Sequence, residues 1–224
     1  MWCKLCYYAG HVEKYTEQQI YKMLTFIVLR ANKGGRVTID VHGKENIPEK
    51  DGFMFFPNHQ GMYDVLAIVE ACSHPFSVVA KKEVEKCTVF ENRFFKCMKA
   101  YTMDRSDVRQ AMKVITAVSK EVENGRNYLI FPEGTRSKNG NHVQEFKGGS
   151  FKAATKAKCP IIPVALIDSF KPFDTNSIEP VTVQVHFLKP MLYEEYKDMK
   201  TNEIAAEVKR RIEEVIEKNT SEQK

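Results

Sequence analysis

Phe53-Met54-Phe55-Phe56-Pro57-Asn58-His59-Gln60-Gly61-Met62-Tyr63-Asp64 runs from an apolar stretch, through a polar turn, into the start of a helical pattern. Four consecutive apolar residues behind the turn signal Asp51-Gly52 read as a short buried strand. Met62 to Cys72 reads as a helix. A histidine and an aspartate five residues apart therefore sit at the mouth of a predicted strand. A second segment repeats the arrangement. Tyr128-Leu129-Ile130-Phe131 is another short strand, and Pro132-Glu133-Gly134-Thr135-Arg136-Ser137 follows it. Together the two segments supply a base and a receptor for negative charge.

Outward from these segments, strands and helices alternate. Val37, Ile39 and Val41 alternate with polar residues, the signature of a half-buried strand. Phe76 to Ala80 is a strand leading into Lys81-Lys82-Glu83, and residues 86–98 form a helix with Phe90, Phe94, Phe95 and Met98 on its apolar side. Tyr101 to Met103 is a short strand ending in Asp104-Arg105. Ser106 is expected to cap the next helix, whose stripe is Val108, Ala111, Met112, Ile115, Val118 and Val122. Gly148-Gly149-Ser150 opens a helix, and Ile161 to Ile167 and Val181 to Phe187 are strands. Ile204, Val208, Ile212, Val215 and Ile216 mark a closing amphipathic helix.

This order implies an α/β fold: a mixed, partly parallel central sheet flanked by helices, with an N-terminal amphipathic helical segment. Residues 1–33 are that segment, 34–219 the main domain, and 220–224 a frayed tail. Sheets of this kind bind ligands at the carboxyl ends of their strands. His59 and Asp64, Lys81 and Lys82, Asp104 and Arg105, and Glu133 and Arg136 all fall at such ends, so four strand ends are expected to converge on one cleft.

The N-terminal segment admits two readings. From Thr16, the residues Ile20, Met23, Leu24, Ile27 and Ala31 form a stripe flanked by Lys14, Lys22, Arg30 and Lys33, and Trp2, Tyr7, Tyr8, Tyr15 and Tyr21 supply amphipathic rings. An interfacial membrane helix has this composition. So does a helix whose broad apolar face covers a domain core. Both stand at this point.

Bulk properties narrow the classes. A length of 224 residues suits one α/β domain, or two, with a sizeable core. A net charge of +5 fits an anionic partner such as phospholipid headgroups, coenzyme phosphates or nucleic acid without requiring one. Cys3 and Cys6 form one C-x-x-C with no second pair placed for a zinc site, and the other cysteines read as reduced thiols of an intracellular protein. No apolar run approaches the ~18 residues of a spanning helix. The N-terminus lacks a signal-peptide layout, so neither secretion nor a bilayer span is expected.

The chemistry follows from the residue types. A neutral imidazole can accept a hydroxyl proton as that oxygen attacks a carbonyl. A carboxylate on the other ring N–H fixes the tautomer and stabilises the imidazolium. The five-residue spacing serves this if His59 lies in the turn and Asp64 in the first helical turn, with Gly61 letting the turn pass close to a ligand. The alternative is a turn histidine and a helix-start aspartate favoured by the dipole. No G-x-S-x-G is present, which suggests that a substrate hydroxyl attacks directly. Arg136 and Arg105 can each bind phosphate bidentately, or each form a salt bridge with Glu133 or Asp104. Lys147-Gly148-Gly149-Ser150 is an anion site or simply a helix cap.

His59-x-x-x-x-Asp64, the Asp104-Arg105 strand end, Phe131-Pro132-Glu133-Gly134-Thr135-Arg136 and Ile162-Pro163-Val164 together resemble the four ordered motifs of the glycerolipid acyltransferase family. The likeness covers roughly residues 36–190 and is nearest to the bacterial 1-acylglycerol-3-phosphate acyltransferases. It implies transfer of a fatty acyl group from acyl-CoA or acyl-carrier protein to the sn-2 hydroxyl of lysophosphatidic acid, giving phosphatidic acid. It casts His59 as general base and Asp64 as its orienting partner. Arg105, Glu133, Gly134, Thr135 and Arg136 would hold the glycerol phosphate, Lys82 would contact phosphate, and Ile162, Pro163 and Val164 would line the acyl side. No metal, cofactor or nucleic acid is implied, and the acyl donor is a substrate. The expected setting is the cytoplasmic face of the cell membrane. Two departures stand out. Gly61 replaces the serine usual two residues after the histidine, and the amphipathic segment stands where many members have spanning helices, which favours monotopic binding to phospholipid. Transfer to glycerol 3-phosphate or another lysophospholipid, thioester hydrolysis, and a non-catalytic lipid-binding module are the competing readings.

Overall fold

The computed structural model describes residues 1–82, 89–104 and 107–221. Within them a seven-stranded sheet has the order β1-β7-β6-β2-β5-β3-β4. The strands are β1 (Val37–His42), β2 (Met54–Pro57), β3 (Phe76–Lys81), β4 (Tyr101–Met103), β5 (Asn127–Ile130), β6 (Ile161–Ile167) and β7 (Val181–Phe187). β2 pairs in parallel with β5 and β6, β3 with β4 and β5, and β1 with β7. Only β6–β7 is antiparallel. The mixed, partly parallel sheet expected from the alternation is thus present. β2 through β6 all end at one edge, which is where the polar turns emerge.

The period of two along β2 sorts its side chains between two cores. Phe53 and Phe55 face one apolar cluster, built with α1 (Trp2–Gly10), α2 (Glu17–Gly35), α3 (Asp64–Ala71) and α4 (Val89–Cys97). Met54 and Phe56 face the other, built chiefly with α5 (Val108–Glu123), α6 (Lys152–Ala157) and α9 (Thr201–Ser221). All residues of β2, β5 and β6 are buried, as befits strands covered on both faces. β1, at the sheet edge, alternates intermediate and exposed positions.

Local chemistry sets the helix ends. α2 starts in a capping box: the Thr16 hydroxyl accepts from the Gln19 N–H at 3.2 Å, and the Thr16 N–H donates to Gln19 Oε1 at 3.0 Å. α5 is capped by Asp107, whose carboxylate accepts from the Gln110 N–H at 3.0 Å. Ser106, expected in that role, lies outside the described residues, as do Arg105 and the side chain of Phe90. α9 runs to Ser221, so residues 220 and 221 belong to the helix and not to a frayed tail; Thr220 and Asn219 bond back to Ile216 and Val215 carbonyls. Two further short helices, α7 (Lys171–Asp174) and α8 (Tyr193–Tyr196), carry no periodic signal long enough to be seen in sequence.

The stripe of the N-terminal segment faces inward. Ile20, Met23, Leu24, Ile27 and Val28 are each no more than 3% exposed, and Leu5 and Ala9 of α1 are fully buried beside them. Ala31, placed in the stripe by its spacing, is exposed, and the neighbouring Asn32 is buried instead, accepting the Tyr63 hydroxyl at 2.6 Å. This stripe therefore covers the core, and the interfacial reading does not apply to it. What α1 and α2 turn outward is Trp2, Tyr7, Phe26 and Leu29. No helix among the described residues is long and apolar enough to cross a membrane.

Leu24→Ala is expected to destabilise the whole domain by about 2–5 kcal/mol, because it removes a buried side chain and leaves a cavity between α2 and the sheet. Denaturant unfolding followed by circular dichroism measures it. A loss below about 0.5 kcal/mol, typical of a surface change, would show that α2 is not part of the core.

Candidate active site

Asn58 leaves β2 and continues its pairing by side chain. Its carboxamide donates to the Leu166 carbonyl at 3.0 Å and accepts from the Leu166 N–H at 2.7 Å, so the turn is anchored to β6 before His59 is reached. His59 follows, and Asp64 is the first residue of α3. The chain doubles back between them, and His59 Nδ1 lies 2.7 Å from Asp64 Oδ2. His59 Nε2 has no partner among the described residues. Phe131 stacks on the imidazole with centroids 3.9 Å apart, fixing the plane of the ring. His59 thus lies in the turn and Asp64 in the first helical turn, as the five-residue spacing requires.

Asp64 is fully buried. Besides His59 it accepts from the Gln60 N–H at 2.7 Å, from the Gly61 N–H at 3.1 Å and from the Ser169 hydroxyl. These donors replace the water that a buried carboxylate has lost.

The loop after β5 grips the backbone of His59 from both sides. Glu133 Oε1 accepts the His59 N–H at 2.7 Å, and the Ser137 N–H donates to the His59 carbonyl at 2.9 Å. Gly134 makes this turn possible. Its φ of +79° is a conformation that glycine adopts without strain, and its N–H closes on the Phe131 carbonyl at 3.2 Å. Glu133 is 2% exposed, and its other oxygen accepts from the Gln144 N–H at 3.3 Å. Both oxygens of this residue, expected at the substrate, bond to backbone. Burial pushes its carboxyl up to about 7, and the two N–H donors offset that only partly.

The remaining residues divide between the site and its surroundings. Thr135 is exposed beside it. The Arg136 guanidinium is partly exposed, and the carboxylate 3.8 Å from it belongs to Asp174, not to Glu133. Lys82 forms a loose pair with Asp104, Nζ to Oδ2 3.7 Å, beyond β5 on the β3–β4 side of the sheet. Arg105 lies outside the described residues. Ile162, Pro163 and Val164 are buried inside β6, paired with Phe55, Phe56 and Pro57, so they form core rather than an open groove. Gly148 is tight against Asn202, where a Cβ would approach to 2.0 Å, so the glycine turn at 147–150 serves packing against α9.

Asn58, Gln60, Asn141, Asp168 and Ser169 also belong to the site. The Gln60 amide donates to Asn141 Oδ1 at 2.8 Å and accepts from the Ser169 N–H at 2.9 Å, and Asn141 donates to Asp168 at 3.1 Å. Adjacency to His59 was a signal for Asn58 and Gln60. Residues 141, 168 and 169 had none, being some 80–110 positions away along the chain.

Comparison with known proteins identifies the family. The acyltransferase family profile matches residues 38–167. A 1-acyl-sn-glycerol-3-phosphate acyltransferase of Borreliella burgdorferi is 32% identical over 69% of this chain and 63% of its own length. That of Salmonella typhimurium is 30% identical over 73% of this chain and 66% of its own. The match thus spans just under two thirds of either relative. The crystal structure of the 1-acyl-sn-glycerophosphate acyltransferase from Thermotoga maritima shares the fold, with a TM-score of 0.74 at 23% identity, covering 94% of this chain and 86% of that one.

The raised Glu133 carboxyl gives a pH dependence of known sign. Between its ordinary value, 4.5, and about 7 the folded state holds a proton that the unfolded state has released. The contribution to stability is therefore complete below about 4.5 and is lost as pH rises through 7. Glu133→Gln, which cannot titrate, is expected to flatten the fall in melting temperature across this window while lowering stability at pH 5, since its amide faces one of the two N–H donors. An unchanged slope would mean that Glu133 is ionised throughout.

Proposed function

The chain belongs to the acyltransferase family, and from that premise we propose that it moves a fatty acyl group from an acyl thioester to the sn-2 hydroxyl of 1-acylglycerol 3-phosphate, giving phosphatidic acid. The observation that carries the reading is the His59–Asp64 pair at 2.7 Å, with Nε2 of the imidazole left for substrate. Asp64 accepts the Nδ1 proton and so sets the tautomer in which Nε2 is the base. The acceptor hydroxyl attacks the thioester carbonyl as Nε2 takes its proton. The tetrahedral intermediate then expels the thiolate, and the imidazolium returns the proton to sulfur. Acyl-CoA or acyl-carrier protein supplies the acyl group.

Arg136 is the proposed receptor for the acceptor's phosphate. It is held beside His59 because the next residue, Ser137, bonds to the His59 carbonyl. Its loose partner Asp174 is weak enough, at 3.8 Å and partly exposed, for a phosphate to displace. Arg105 and Lys82 are proposed to assist from the β3–β4 side.

Both acceptor and product are lipids, so the enzyme must meet a bilayer. We place that contact on the outer face of α1 and α2, where exposed Trp2, Tyr7, Phe26 and Leu29 stand among Lys4 and Arg30, both of which lie over the Phe26 ring. Apolar and aromatic groups beside cations suit an anionic phospholipid surface. These groups support peripheral or monotopic binding, and the proposed setting is the cytoplasmic face of the cell membrane.

Purified protein given acyl-CoA and lysophosphatidic acid should release thiol and form phosphatidic acid in equal amounts. Thiol release alone would mean a hydrolase, and neither product a binding module. His59→Ala should lower turnover by on the order of two to four decades, and Asp64→Asn by less. Near-parental phosphatidic acid formation by His59→Ala would end the base assignment.

Phe26→Glu combined with Leu29→Glu should leave the melting temperature nearly unchanged, since both side chains are already about half exposed. It should also reduce sedimentation with anionic vesicles several-fold. Unaltered vesicle binding would move the membrane contact to another face.

A further inference from the structure

The segment after β6 crosses the turn that carries His59. Asp168 adopts a φ of +61°, which turns the chain sharply at the strand's end. Its N–H and carboxylate both bond to Asn141, at 2.8 and 3.1 Å, and Lys171 closes the turn on the other carboxylate oxygen at 2.8 Å. The next residues run directly over Gly61. A side chain begun there would come within 3.0 Å of both the Phe170 Cα and the Asp174 carboxylate. Gly61 has ordinary φ, so the constraint is space, not backbone conformation. The group that closes over the turn at this point is the polypeptide itself, where a ligand was expected.

That crossing delivers Ser169. The residue is fully buried, its N–H is held by Gln60 Oε1 at 2.9 Å, and its hydroxyl meets Asp64 Oδ1. Asp64 Oδ2 is the oxygen that His59 uses. An ionised carboxylate only accepts, so the serine hydroxyl must donate. With Oδ1 fixed from the β6 side and Oδ2 shared by His59 and the Gln60 N–H, the carboxyl group cannot rotate about its χ2 torsion.

We propose that Ser169 is a positioning residue of the His59–Asp64 pair, holding the Asp64 carboxylate in the rotation that directs one oxygen at the imidazole, with Gly61 leaving the space in which the chain from Ser169 to Asp174 crosses the turn. The inference rests on His59 being the base. It assigns to the end of β6 a part in the site that the motif spacing around His59 does not reveal.

The test compares kcat and KM of Ser169→Ala with the parent, using acyl-CoA and lysophosphatidic acid. The expected result is a kcat lower by about ten- to a hundredfold, the size expected for losing one charge-assisted hydrogen bond, with KM for both substrates unchanged. In an Asp64→Asn background the same change should cost less than threefold, since the carboxylate it orients is gone. Ser169→Cys, nearly isosteric with a weaker donor, should lie between serine and alanine, and carries the comparison if the alanine variant does not fold. A parental kcat in the folded variant overturns the proposal, as does an undiminished loss in the Asp64→Asn background or a rise in KM alone. His59→Ala at parental rate would remove the base reading itself. His59→Ala at low rate with Ser169→Ala at parental rate would remove only this proposal.

Discussion

Asp64 is a carboxylate with no access to water, and much of the site is arranged around keeping it solvated by protein. A buried charge without partners costs several kcal/mol, so the donors have to be present together. The turn provides two backbone N–H groups only if it coils tightly through Gln60 and Gly61. The helix start provides the position, since residues entering a helix find unpaired N–H groups and a favourable dipole. The third and fourth donors, His59 Nδ1 and the Ser169 hydroxyl, come from opposite sides. The dipole reading of Asp64 and the orienting reading are therefore compatible. The same burial that would make the carboxylate costly makes its bond to the imidazole directional.

A second buried acid, Glu133, performs a different task. It holds the backbone of the histidine, where Asp64 holds the ring. Two carboxyls near one imidazole would compete if both were ionised. Burial keeps Glu133 protonated up to about neutrality, and the proximity of Asp64 adds to that tendency. The loop that carries Glu133 also carries Arg136, so one turn, closed by Gly134, fixes the histidine backbone and brings the cation to Asp174, whose carboxylate lies over Gly61. The acids are interior and the arginine is partly open, as suits a site whose proposed substrate brings its own negative charge.

The chain by itself determined the strands, because alternation in β1 and apolar runs in β2, in β5 after Asn127 and in β6 are local signatures of one-sided and two-sided burial. It made a meeting of His59 and Asp64 feasible, since five residues of turn and helix start can bring the two side chains within reach, and the structure decided that they do meet, at 2.7 Å. Equal hydrophobicity gave no such guidance for α2. A stripe of Ile20, Met23, Leu24 and Ile27 suits a bilayer and a sheet alike, and only the position of the sheet decided that it faces protein, leaving Phe26 and Leu29 outside. Nor does a glycine declare whether it makes room for a ligand or for its own chain. Ser169 lies 105 residues from Asp64, and Asn141 lies 81 from Gln60. Bonds across such separations leave no trace in local pattern. They exist because β2 lies between β5 and β6 in the sheet, so that three turns distant in sequence emerge side by side.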